Sequence, residues 1–301
     1  SVNPVDTKVR QNVQPEADTA KVLGWDVAGV VKAVGSEVSL FKVGDKVFYA
    51  GSIARAGANS ERHVVDERIV GHMPKSLDFA QAAALPLTAI TAWELLFERL
   101  GINEGKTDEQ QSLLIVGAAG GVGSILTQLA SQLTALKVIG SASRPETQAW
   151  VRELGADLVI DHSQPLSEEL KRHGIDAVTH VASLTQTDQH LDQLVEALAP
   201  QGKLALIDDP KALDITKLKR KSLSLHWEFM YTRSLFQTPD MIEQHHLLNR
   251  VAGLIDAGTL RTTVGEHFGS INATNLRRAH ALLESGKAKG KIVLEGFRQD
   301  A

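Results

Sequence analysis

Ser112-Leu113-Leu114-Ile115-Val116-Gly117-Ala118-Ala119-Gly120-Gly121-Val122-Gly123-Ser124 is the stretch that decides the fold. An apolar strand runs directly into a glycine-rich turn, and good helix formers follow from Ile125 to Leu133. Dinucleotide binding needs these parts in this order. Glycines let the backbone approach a pyrophosphate, and the helix amino terminus offers unpaired N–H groups and positive dipole density to the anion. Ala118 replaces the first glycine of the usual fingerprint, Gly120 and Gly123 hold the second and third places, and Gly121 and Val122 complete the loop. Any tight strand–helix turn can use a glycine triplet, so the motif draws its force from its surroundings.

Those surroundings alternate. Strands are expected at Leu113–Val116, Lys137–Ser141, Leu158–Ile160, Ala177–Val181 and Lys203–Ile207, with Ser222–Met230 as a sixth. Helices are expected between them, at Gly121–Leu133, Glu146–Leu154, Leu166–Arg172 and Gln189–Leu198. Short strands separated by helices are the signature of a parallel sheet wound on both faces. Upstream, residues 24–74 are rich in Gly and Val, with apolar runs at Val27–Val34, Lys46–Tyr49 and His63–Val70 separated by turn residues, which predicts an antiparallel β segment. Phe79–Leu100 has helical spacing, and Gly101–Gln111 is a polar connection. Downstream come helices at Met241–Ala257 and Asn275–Glu284, then a last strand at Lys291–Leu294.

Composition bounds the rest. The 301 residues carry 32 basic and 36 acidic side chains, a net charge of −4, which excludes collagen-like and disordered classes and argues against a general nucleic-acid binder. The length suits two domains. With no cysteine, the chain has no disulfide, thiol nucleophile, iron–sulfur cluster or cysteine-ligated zinc. No uninterrupted apolar run approaches about 18 residues, and Ser1–Asp6 lacks the pattern of a signal peptide, so a cytoplasmic protein without membrane contact is expected.

The end of the second strand selects the cofactor. NAD-binding folds place an acid about 20 residues beyond the loop, on the ribose hydroxyls. Here the chain reads Ser141-Ala142-Ser143-Arg144, with no acid before Glu146. A carboxylate would repel a 2′-phosphate, whereas the Ser143 hydroxyl and Arg144 guanidinium would bind it, so the expected cofactor is NADPH. Arg144-Pro145 also reads as an ordinary helix start, and both roles can hold together.

Beyond the glycine loop, Gly24-Trp25-Asp26-Val27-Ala28-Gly29-Val30-Val31, Val34-Gly35, Phe41-Lys42-Val43-Gly44-Asp45-Lys46-Val47 and Leu154-Gly155-Ala156-Asp157 stand in order at suitable spacing. Together they resemble the medium-chain dehydrogenase/reductase superfamily, in its zinc-independent quinone oxidoreductase (zeta-crystallin-like) branch. The resemblance covers essentially the whole chain. It implies an α/β protein: a Rossmann doubly wound parallel sheet, residues 89–229, inserted into a β-rich GroES-like catalytic domain formed by residues 1–88 and 230–301. Family members begin some residues earlier, so the first strands of that catalytic domain are expected to be missing. The resemblance implies that Asn3 contacts the nicotinamide ribose, Thr91 lies near the carboxamide, His162 lies near the adenosine phosphate end, and Lys291 is a basic position near the cofactor. It further implies a homodimer, with Ser222–Phe229 as candidate interface.

Departures bear on mechanism. The zinc-dependent branch carries a Gly-His-Glu motif where this chain has Gly24-Trp25-Asp26, and its cysteine ligands have no counterpart, so no metal is expected although the family is often labelled zinc-type alcohol dehydrogenase. Adjacent His245 and His246 diverge by about 100° on a helix. His63 and Glu67, about 13 Å apart on a strand, cannot grip one ion. Tyr49 reads either as a cleft hydroxyl, the catalytic proton donor, or as a core tyrosine. Met230–Gln237 reads either as a loop over the substrate or as packing. Without a metal Lewis acid, a conjugated acceptor is the easier hydride target, so the expected activity is NADPH-dependent reduction of a small-molecule quinone or enone. Enoyl-thioester reduction, and an NADPH-binding sensor or structural protein with little turnover, are the rival expectations.

Overall fold

The computed structural model describes residues 1–15, 17–105 and 111–297. Contacts divide the chain into two compact units, Ser1–Ile90 with Met230–Ala301, and Thr91–Phe229.

In the first unit, α1 (Pro4–Asn12) starts on a proline, and the Asp6 carboxylate accepts from the Asn3 N–H at 2.8 Å. The strands β1 (Val27–Val30), β2 (Lys46–Tyr49) and β3 (Gly71–His72) form an antiparallel sheet in that order. Gly71 is there for space: a Cβ would stand 2.5 Å from Leu248 and 2.8 Å from the Phe48 ring. The expected strand over His63–Val70 does not form. Glu67–Ile69 is instead a 3-10 turn capped by Asp66, and Val64 is 70% exposed. The apolar residues there that are buried pack locally, Val70 against Phe41, Val47 and Tyr49. Helix α2 (Phe79–Ala83) is capped reciprocally by Asp78 and Gln81. Helix α3 (Pro86–Trp93) follows, then a π-helical turn at Glu94–Arg99. Phe79–Arg99 is long and apolar enough to cross a membrane by length and composition, but 83% of its most apolar window is buried, as in a core helix.

The second unit holds six parallel strands: β4 (Ser112–Val116), β5 (Lys137–Ser141), β6 (Leu158–Ile160), β7 (Val178–Ser183), β8 (Leu198–Leu206) and β9 (Ser224–Trp227). Helices α4 (Gly121–Leu133), α5 (Pro145–Glu153), α6 (Leu166–Arg172) and α7 (Thr187–Ala197) alternate with β4–β8. The spatial order is β6-β5-β4-β7-β8-β9, so the chain reverses direction across the sheet at β4. That reversal opens a crevice at the carboxyl ends of the strands, where such sheets bind ligands. Leu114, Ile139, Val181 and Leu204 form the sheet's share of the core, closed by Leu166, Leu170, Leu191 and Leu194 from α6 and α7. Each such side chain contributes about 1.5–3 kcal/mol on burial.

The chain then completes the first unit with α8 (Thr232–Phe236), α9 (Glu243–Asp256), β10 (Val264–His267), α10 (Ala273–Glu284) and β11 (Lys291–Val293). Strands β10 and β11 pair in parallel, and Val2 bridges Ile292. Helix α9 packs on β3, His245 donating from Nδ1 to the Val70 carbonyl at 2.6 Å. Sequence patterning misses α1, α8 and β10, which are short or too polar to show a periodic apolar face.

Candidate functional site

The glycine loop follows β4. Gly117 adopts φ +85°, a left-handed conformation suited to glycine, so the turn position falls one residue before Ala118. Ala118 is fully buried, and Gly140 on β5 makes room for it, since a Cβ there would meet that of Ala118 at 3.0 Å. Gly123 has no space for a side chain: a Cβ would lie 2.5 Å from the Gly117 carbonyl oxygen. At Gly120 the nearest such contact is an ordinary 3.5 Å. The first intrahelical bond of α4 runs from the Ser124 N–H to the Gly120 oxygen at 2.9 Å. The N–H groups of Gly121, Val122 and Gly123 therefore precede the helical ladder and form, with the dipole of α4, a cradle that fits a dinucleotide pyrophosphate.

Around this cradle, the carboxyl ends of β5 and β6 gather three more expected residues. Ser143 is exposed, and Arg144 caps α5 with Nε 3.3 Å from the Glu146 carboxylate. His162 Nδ1 lies 3.1 Å from Ser141 Oγ, which also accepts from the Gly117 N–H at 3.1 Å, so one hydroxyl ties the loop to His162. Burial holds His162 below the usual histidine range, with Asp161 opposing. His190 on α7 is lowered as well, by burial and then by the charge His162 would carry. Thr91 is buried at the start of this unit.

In the first unit, Asn3 and Lys291 meet at a buried polar cluster around Asp26. The Lys291 ammonium donates to the Val2 carbonyl at 2.8 Å and to the Asn3 Oδ1, and lies 3.1 Å from Asp26 Oδ2. Asn3 Nδ2 donates to Asp26 Oδ2 at 2.7 Å and to the Trp25 carbonyl at 3.2 Å. Asp26 Oδ1 accepts from the Leu87 N–H at 2.8 Å. All three ammonium hydrogens and both amide hydrogens are thus engaged. This donor set does not fit a catalytic zinc: the carboxylate faces an ammonium, and Trp25, buried with its indole N–H on the Ser52 carbonyl, stands where an imidazole would be needed. His245 and His246 touch edge to face at 5.6 Å between ring centres but bond to separate partners, Asn249 and Glu243. Among the described residues no group of three or more metal-ligating side chains comes together.

The first unit also contains a cavity of about 880 Å³, lined among others by Val27, Phe41, Tyr49, His63 and Val70. Tyr49 is 5% exposed, and burial pushes its phenol far above the ordinary tyrosine value, so it stays neutral. Its hydroxyl lies 3.1 Å from His63 Nδ1. Sequence reasoning considers His63 only as a metal ligand on a strand; the turn that carries it to Tyr49 has no periodic signal. Of Met230–Gln237, Met230 and Tyr231 are buried, while Phe236 is 71% exposed. Strand β9 forms the sheet edge within Ser222–Phe229, with Trp227 53% and Phe229 48% exposed. In the second unit the buried carboxyl groups of Glu94 and Glu228 form, with the partly exposed Arg99, a further charged group that no motif announces, Arg99 Nε donating to Glu228 at 2.8 Å.

Comparison with known proteins bears on this arrangement. Residues 1–86 match the alcohol dehydrogenase GroES-like domain, and residues 154–294 match the zinc-binding dehydrogenase family. A zinc-type alcohol dehydrogenase-like protein of Staphylococcus aureus is 40% identical over 98% of this chain and 88% of its own. The quinone oxidoreductase of Pseudomonas aeruginosa is 32% identical over 97% and 87%. Among solved structures, a Rhizobium etli protein named, provisionally, as a zinc-dependent alcohol dehydrogenase is 57% identical, with TM-score 0.95 over 99% of this chain and 87% of its own. Escherichia coli quinone oxidoreductase complexed with NADPH is 26% identical, with TM-score 0.82 over 98% and 88%.

Proposed function

Because the chain belongs to the medium-chain dehydrogenase/reductase superfamily, we propose that it is an NADPH-dependent reductase of quinones or α,β-unsaturated carbonyl compounds that works without a metal. The observation that carries this reading is the glycine cradle, closed to any side chain at Gly123 and opening onto the amino terminus of α4. When bound, the nicotinamide supplies a hydride.

The chain's own residues do the rest. The N–H groups of Gly121, Val122 and Gly123 hold the pyrophosphate. Ser143 and Arg144 take the 2′-phosphate in preference to a free ribose hydroxyl, although Glu146 competes for the guanidinium. His162 lies toward the adenosine end and Thr91 toward the nicotinamide. Asn3 is the ribose contact, through a lone pair of Oδ1 because both amide hydrogens are held by Asp26 and Trp25, and Lys291, its own hydrogens engaged as well, fixes Asn3 rather than reaching the cofactor itself. Tyr49 hands a proton to the oxygen that gains charge as the acceptor is reduced; its support is a neutral hydroxyl on a cavity wall. A conjugated acceptor suits a site with no metal, because its own π system spreads the charge. The homodimer is proposed through β9, the exposed sheet edge.

The test is the rate of NADPH and NADH oxidation with a panel of quinones and enones, with and without a chelator. Turnover that prefers NADPH, loses that preference in Arg144→Ala and ignores the chelator is the expected result. Tight NADPH binding with no turnover on any acceptor would assign the chain to binding rather than catalysis, and dependence on one bound zinc would overturn the metal-free reading.

A further inference from the structure

The contact between Tyr49 and His63 has a direction that the surrounding atoms determine. His63 Nε2 lies 3.0 Å from the Ala56 carbonyl oxygen, which can only accept, so Nε2 carries a hydrogen in either charge state of the ring. In the neutral ring Nδ1 is then a bare lone pair. The Tyr49 hydroxyl, 3.1 Å away, must give it its single proton and turns only oxygen lone pairs to its other neighbours. Protonation at Nδ1 reverses this. The ring becomes the donor, the Tyr49 oxygen accepts, and the phenolic O–H is released to point elsewhere.

We propose that His63 is a positioning residue whose protonation frees the Tyr49 O–H from Nδ1 and turns it toward the cavity as a proton donor, so that the reductase is active with His63 protonated. This rests on the reductase reading above and concerns the same Tyr49. In the step, the Tyr49 O–H bond breaks as its proton forms a bond to the substrate oxygen. The His63 Nδ1–H bond breaks as that proton passes to the Tyr49 oxygen. The ring is left neutral and regains its proton from solvent; no electrons change hands.

The geometry around the ring is consistent with such a switch. The two rings stack at 5.7 Å with 16° between their planes, and both residues line the 880 Å³ cavity. On the near side sits Gly51, whose Cβ would come 3.6 Å from the imidazole Cε1. Arg55 is the charged neighbour that disfavours the imidazolium, and the Ala56 carbonyl favours it. Glu61, Arg62, Glu67 and Asp26 are further charged groups on the cavity wall. Burial, the largest influence, holds the ring below the ordinary histidine range, so His63 is neutral at pH 7 and charges only as the solution becomes acid. Tyr49 stays neutral across that whole interval.

Two measurements on the whole chain test this. Nitrogen-15 imidazole NMR reads the tautomer and titration of His63 without any cofactor, and the expected neutral form has Nε2–H with Nδ1 accepting. The pH profile of kcat/KM for a quinone acceptor then rises on acidification, by up to about tenfold per pH unit, to a plateau at the His63 midpoint. His63→Gln is expected to abolish that limb, and Tyr49→Phe to lower kcat more than tenfold on the acid plateau and by progressively less as the pH rises. An Nδ1–H tautomer, or an acid limb that survives in His63→Gln, overturns the role of His63 and leaves the reductase reading standing. Turnover on no acceptor overturns the reductase reading, and this role with it, whatever the tautomer.

Discussion

Two carboxyl groups that hydrogen-bond to each other cannot both be ionised, and Glu94 and Glu228 do so while 0% and 2% exposed. Burial first, and the charge of Glu94 second, push Glu228 well above its ordinary 4.5, against the pull of Arg99. A raised folded-state value means that stability present below about pH 4.5 is lost as pH climbs toward the folded value, at about 1.4 kcal/mol per pH unit. Glu228→Gln, which imitates the protonated acid, removes that slope. Thermal melts should therefore show the variant close to wild type at pH 5 and increasingly more stable as the pH rises to 8.5, by up to about 1.4 kcal/mol per pH unit. A difference that stays constant with pH would contradict a shared proton. Nothing in the sequence brings these two residues together, because Glu94 precedes β4 and Glu228 follows β9, with all six strands of the sheet between them in the chain. Tyr49 and His63 are closer in the chain, but an irregular turn joins them.

For single elements, legibility follows from how each is buried. Leu158–Ile160 and Lys137–Ser141 form as expected because strands within a parallel sheet read as unbroken apolar runs. His63–Val70 misleads because Val64, Val65, Ile69 and Val70 imitate a strand while facing different surroundings, one of them open to solvent. Helix α1 escapes notice because its face against the protein offers only Asp6, Thr7 and Val9. The loop between β4 and α4 was readable because its function is written in backbone space, and Gly123 is where that space is tightest. Gly123→Ala forces a Cβ against the Gly117 carbonyl and Ala118, and is expected to lower stability by about 1–3 kcal/mol and weaken NADPH binding at least tenfold. Thermal melts and a fluorescence titration with NADPH check both effects. An unchanged dissociation constant would show that the loop is a turn and no more.

Over the whole molecule, the two units differ in how the chain builds them. Thr91–Phe229 is one continuous segment with its own six-stranded sheet and core, so the excised segment is expected to fold. Cooperative thermal unfolding by circular dichroism and a dispersed amide spectrum are the signs to look for; a gradual, sloping melt would refute its independence. The first unit has no such option. Strand β3 lies against α9, and Val2 is bridged to Ile292, so residues 1–90 meet their partners only from the far end of the chain. On the ribosome that gap becomes a delay. At about 5–20 residues per second, translating the intervening segment takes on the order of ten to thirty seconds. During that time the leading third is out of the exit tunnel with the floor of β3 uncovered, Phe48 and Gly71 waiting for Leu248. The nascent chain is therefore most in need of a chaperone while its glycine-loop unit is being made.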